Sequence, residues 1–90
     1  MKPFDFAIAV EVDKYTGAVL ATYFQVRRGK SAETREFAGG KAFADYSDKG
    51  HLLGIELLEP CRIGVLDQIA VEAPVRKFVR TTIPKKMMLV

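Results

Sequence analysis

Ninety residues, 49% of them hydrophobic and 28% charged, suffice for one domain and are too few for two. The single cysteine, Cys61, excludes an intramolecular disulfide framework, and no apolar run approaches the ~18 residues of a membrane span. The formal net charge of +3 is unevenly spread: residues 1–72 hold nine basic and eleven acidic side chains, whereas 73–90 hold Arg76, Lys77, Arg80, Lys85 and Lys86 and no acid.

These numbers set the first expectations: a soluble, cytoplasmic protein without membrane contact, its nearly neutral body at 1–72 followed by a basic helix and tail at 73–90 of the same domain. A chain this short gains stability by self-association, and a two-fold interface uses one surface patch twice, so the expected assembly is a homodimer.

In chain order, Phe4, Phe6, Ile8, Val10 and Val12 alternate with Asp5, Ala7, Ala9, Glu11 and Asp13, the period of a half-buried strand rather than of a signal segment. Asp13 to Gly17 is a turn, with glycine where positive φ is needed, and the stretch 18–26, rich in Thr, Tyr, Phe and Val, returns as the second strand of a hairpin. Arg27 to Ser31 is a polar break. The stretch 32–37 is a charge-rich strand, Glu33, Arg35 and Glu36 guarding a sheet edge. Ala38-Gly39-Gly40 turns the chain into a strand at 41–46, and Ser47-Asp48-Lys49-Gly50 forms a hairpin loop into the most apolar strand, 52–58. Every connection is too short for a parallel crossover, which predicts an antiparallel meander of four or five strands.

Pro60 ends the sheet. Ile63, Leu66, Ile69 and Ala70 then recur at helical spacing, and a second helix starts at Ala73-Pro74, proline being tolerated in the first turn. Val75, Phe78 and Val79 fall on one face of that helix and Arg76, Lys77 and Arg80 on the other, so it should lie on the sheet with its basic face outward. Ile83-Pro84 stops it, and Met87, Met88, Leu89 and Val90 are too apolar to stand in water. The fold class is therefore α+β, mostly β, with a short C-terminal helical segment.

Three stretches resemble a bacterial family of small proteins, domain of unknown function 2283: Thr16-Gly17-Ala18-Val19-Leu20 with Tyr23, then Arg28-Gly29-Lys30-Ser31-Ala32-Glu33-Thr34, then Asp48-Lys49-Gly50 through the Gly54-Ile55-Glu56-Leu57 strand. The resemblance spans roughly residues 6–60. It implies the β-rich fold, supplies no catalytic or cofactor site, and, because some members look like companions of small toxin-type proteins, implies a partner-binding role. The chain departs from the family in a longer first strand, in Gly39-Gly40 followed by Lys41, and in its basic C-terminal extension.

No motif carries chemistry. Asp45, Ser47, Gly50 and Glu56 occupy positions one, three, six and twelve of a calcium loop, but Lys49 stands at position five and strand patterns flank it where helices are required. Gly39-Gly40-Lys41 lacks the earlier glycine and the Ser or Thr of a phosphate loop. His51 and Cys61, the only imidazole and thiol, fall at opposite ends of the closing strand, so they form no Cys–His pair. Glu56, the one carboxylate in that strand, should need a cation such as Arg35 or Arg62 if buried.

No cofactor or metal is expected. The function read from these residues is a non-catalytic protein-interaction module, an accessory or inhibitory member of a small gene pair, with Arg27, Arg28, Arg76, Lys77, Arg80, Met87, Met88 and Leu89 as candidate partner-binding residues. Two alternatives come from other classes: a nucleic-acid-binding protein using the same basic residues, and an enzyme whose site forms at a dimer interface.

Overall fold

The computed structural model describes residues 3–58, 61–62, 64–83 and 88–89, the pairs 61–62 and 88–89 by their backbone alone. Five antiparallel strands form one sheet: β1 (Ala7–Val12), β2 (Val19–Gln25), β3 (Glu33–Phe37), β4 (Ala42–Tyr46) and β5 (Leu52–Leu58). Two residues, β6 (Cys61–Arg62), lead into α1 (Gly64–Ile69) and α2 (Ala73–Thr82), and the chain returns as β7 (Met88–Leu89), parallel to β6. The α+β, mostly β class and the antiparallel pairing agree with the sequence reading.

The strand order corrects it. The sheet runs β1-β2-β5-β4-β3, so β2 pairs with β5 and not with its sequence neighbour β3 as a simple meander requires. The reason lies in what each strand can bury. Leu53, Ile55 and Leu57 of β5 are 0–3% exposed, a burial reached only in the middle of a sheet, whereas Glu33, Thr34, Arg35 and Glu36 of β3 are exposed and suit an edge. The polar link at 26–32 carries the chain past the centre to that edge.

Local chemistry fixes each turn. Asp13 accepts hydrogen bonds at Oδ1 from the backbone N–H of Tyr15 and Thr16, both 2.9 Å, and Gly17 at φ 73° closes the β1–β2 hairpin. These backbone donors, Thr16 first and Tyr15 next, hold the Asp13 carboxyl below its ordinary pKa. At the β4–β5 hairpin, the Gly50 N–H donates to the Ser47 carbonyl at 2.9 Å with Gly50 at φ 82°.

One face of the sheet is covered. Phe24 of β2, Ile55 of β5 and Ala44 of β4 lie in a row across three strands, all fully buried, beneath Leu66, Ile69 and Ala70 from the α1 region and Val75 and Val79 of α2. α2 follows the extended Glu72, has Pro74 in its first turn and ends where Ile83 adopts extended backbone ahead of Pro84. Its outer side carries Arg76, Lys77 and Arg80, as its periodicity predicts. Phe78 anchors it, stacked on Phe6 with ring centroids 4.4 Å apart and edge-on to Phe24 at 6.0 Å.

Candidate interaction surface

The basic residues singled out in the sequence do not form one free patch. Arg27 is a core residue, 3% exposed, which removes it from any surface interface. Its Nη1 donates to the Leu52 carbonyl at 3.1 Å, its Nη2 meets Glu72 Oε2 at 2.8 Å, and its guanidinium lies 4.5 Å from the Phe4 ring centre. Burial is tolerated because the charge is matched and the fork is filled. Arg27 thereby ties the β2–β5 centre of the sheet to the start of α2.

The other arginines are exposed and paired. Arg28 binds Asp5, Arg80 Nη2 reaches both carboxylate oxygens of Asp67 at 2.7 Å, and Arg76 Nε lies 3.7 Å from Asp67 while donating to the Ala70 carbonyl at 3.2 Å. Asp67 belongs to α1, so these pairs clamp the two helices together. Of the candidate basic residues, only Lys77 has no ion pair among the described residues. The missed signals are Glu72 and Asp67: each stands far along the chain from its partner or on another element, and no local spacing marks the pairing.

Met87 lies outside the described residues, and of Met88 and Leu89 only the backbone is described, paired with Cys61 and Arg62. This places the tail beside β6. The expected partner role of its side chains falls outside the described residues, as do the side chains of Cys61 and Arg62.

The uncovered face of the sheet carries Tyr23, Asp45 and Glu56. Tyr23 lies over Gly54, where an added Cβ would come within 1.9 Å of the phenol oxygen, and its hydroxyl donates to Asp45 Oδ2 at 3.3 Å. Burial and then the Asp45 charge push the Tyr23 pKa up to about 12. Glu56, opposite Tyr23 and Phe43, is half-buried on this face. Arg35, an expected partner, instead pairs with Glu33 beside Tyr46, so among the described side chains Glu56 has no ion pair. Asp45 and Glu56 sit on strands and hold no calcium-loop geometry with Ser47. Among the described residues no three His, Cys, Asp or Glu side chains converge as a metal site requires.

A cleft of about 680 Å³ opens at the far end of the sheet, lined by Lys30, Ser31, Ser47, Asp48, Lys49 and His51 among others. Ser47 Oγ there accepts the His51 backbone N–H at 3.1 Å, so it stabilises the turn. The described lining of the cleft contains one imidazole, His51.

The feature that stands apart is β1. It is the last strand of the sheet, and among the described residues no strand pairs with its outer edge. Along its helix-side face Phe6, Ile8, Val10 and Val12 are 38–51% exposed, although Phe78 of α2 stacks on Phe6. Phe4 and Leu20 extend the apolar surface. The opposite edge, β3, is guarded by charge, and β1 between Ala7 and Val10 has none. An apolar edge with open backbone groups invites another strand, although the register of β1 against β2 shifts between Glu11 and Val12. Among the described residues no helix is long and apolar enough to cross a membrane. No family model, curated protein or solved structure matches the chain.

Proposed function

We propose that the protein is a non-catalytic interaction module that docks an extended polypeptide by strand addition along β1. The observation that carries this reading is the contrast between the two sheet edges: β3 is charged, whereas β1 has no charge from Ala7 to Val10 and its row of Phe6, Ile8, Val10 and Val12 is 38–51% exposed. Main-chain hydrogen bonds to the open edge supply affinity, and the Phe6–Val12 row supplies apolar contact. The internal pairing of Arg27 with Glu72, of Arg28 with Asp5 and of Arg76 and Arg80 with the one carboxylate of Asp67 weighs against nucleic acid as the partner, since these arginines are already engaged. The resemblance to domain of unknown function 2283, a cytoplasmic setting and an accessory role in a small gene pair belong to the same proposal.

The test is capture by the tagged full chain with and without nuclease, beside two variants: Val10→Lys on the β1 edge and Thr34→Lys on the β3 edge. The reading expects nuclease-resistant capture that Val10→Lys abolishes and Thr34→Lys leaves intact. Capture that disappears with nuclease, or that survives Val10→Lys, overturns it.

A further inference from the structure

We infer that the strand added to β1 is β1 of a second copy of this chain, antiparallel about a two-fold axis at Ala9, giving one continuous ten-stranded sheet. This rests on the reading of β1 as the docking edge and names its occupant.

The sequence of β1 is self-complementary in one register. In an antiparallel pair, residues directly opposite share a face, so the apolar row of one copy can meet only the apolar row of the other. With Ala9 opposite Ala9 of the second copy, Ile8 faces Val10 and Phe6 faces Val12, so all four members of the row are paired and each large side chain meets a smaller one. On the other face Glu11 lies opposite Ala7, whose methyl leaves the carboxylate a path to water.

Neighbouring registers are worse for stated reasons. A shift that centres the axis on Ile8 sets Asp5 against Glu11, and one that centres it on Glu11 sets that carboxylate against itself. Centring on Val10 places Phe6 against Lys14 and leaves one apolar pair unmade. In the Ala9 register the like charges Asp5 and Asp13 meet only beyond the strand ends, where Asp5 is held by Arg28 and Asp13 by the turn amides.

The geometry also explains why the row is bare. A two-fold axis normal to the sheet puts both copies of α2 on the same face, while Ile8, Val10 and Val12 of each copy stand 40–51% exposed. The two rows then form the floor of a groove between the helices. The apolar side chains exposed along β1 and at Leu20 amount to roughly 400–500 Å² per copy, so two copies approach the ~1,000 Å² that a specific interface needs. The charged β3 edges are left at the two ends of the extended sheet, where they block further addition.

The test is the mass in solution of the full chain at tens of micromolar, measured by light scattering and sedimentation equilibrium. The expected mass is twice the 10.0 kDa of one chain. Val10→Lys, at a position already 44% exposed and so tolerant of a polar side chain, should return it to that of a monomer with an unchanged circular dichroism spectrum. In a Cys61→Ser background, Ala9→Cys should cross-link on mild oxidation, because opposed Cα atoms in such a ladder are ~4.5–5.5 Å apart, within disulfide reach. Ala32→Cys should not. A monomeric wild type, a dimer indifferent to Val10→Lys, or a dimer that cross-links no better at Ala9 than at Ala32 overturns the inference. A monomer that binds a synthetic peptide of residues 4–13 along β1 sinks the second copy while leaving the docking edge intact; a monomer that binds no such peptide also sinks the second copy, and the docking edge then stands or falls by the capture experiment with Val10→Lys.

Discussion

Arg27 is where one residue decides most. Its fork closes on Leu52 and Glu72 at once, and its guanidinium lies over the Phe4 ring, so replacing it removes a carbonyl donor, an ion-pair partner and a cation–π contact together. Arg27→Ala should lower unfolding free energy by about 2–3 kcal/mol, below the cost of breaking a fully buried pair because the Glu72 side chain is 38% exposed. Arg27→Lys should recover only part of this, since an ammonium cannot span both acceptors with a planar fork. Urea denaturation of the two variants decides it, and equal stability of Arg27→Ala and wild type would refute the clasp. None of this was legible in Arg27-Arg28-Gly29, which reads locally as a solvated turn. The partner lies 45 residues on, and burial of an arginine follows from tertiary pairing alone.

Tyr23 gives a second residue-scale outcome. Its neutral phenol is favoured in the fold by burial and by the Asp45 carboxylate, so its pKa stands at about 12 against an ordinary 10.0. The folded pKa is the higher one, so this contribution to stability is complete below pH ~10 and is lost as pH rises toward 12. Wild-type stability should therefore fall across that window. Gly54→Ala drives the ring away from Asp45, and its phenolate should titrate nearer 10, read by ultraviolet absorbance. An unchanged titration in Gly54→Ala would show that neither contact sets the shift.

Among the elements, α2 is held by two unequal devices. Phe78 joins it to the core through Phe24 and to the first strand through Phe6, whereas Arg76 and Arg80 reach α1 only through an exposed carboxylate. Phe78→Ala should cost about 2–3 kcal/mol and raise amide exchange along α2, while Asp67→Ala should cost no more than ~1 kcal/mol. The reverse order would mean that charge, not packing, fixes the helix. Element existence was readable because periodicity is local: β1's alternation, the Gly50 turn and the apolar face of α2 each declare themselves over a few residues. Strand order was not. It depends on β3 and β5 competing for the place beside β2, which burial across the whole sheet settles.

Across the whole molecule, the charge asymmetry of the sequence is reduced in space and not removed. Residues 73–90 carry +5, yet Arg76 and Arg80 of α2 are both engaged by the one carboxylate of Asp67, and among the described residues Lys77 is the basic side chain of that helix with no ion pair. Binding of single-stranded nucleic acid should then be weak, and the logarithm of its affinity should fall with the logarithm of salt at a slope near −1 to −2, since each phosphate neutralised contributes about −0.7 to −0.9. Asp67→Asn frees Arg76 and Arg80 without moving a backbone atom. It should tighten binding at low salt and steepen the slope by about two such increments. Fluorescence anisotropy with a labelled oligonucleotide over a salt series measures both. A wild-type slope of about −5, unaltered in Asp67→Asn, would mean that the arginines leave Asp67 for phosphate, and the nucleic-acid reading would then displace the docking edge.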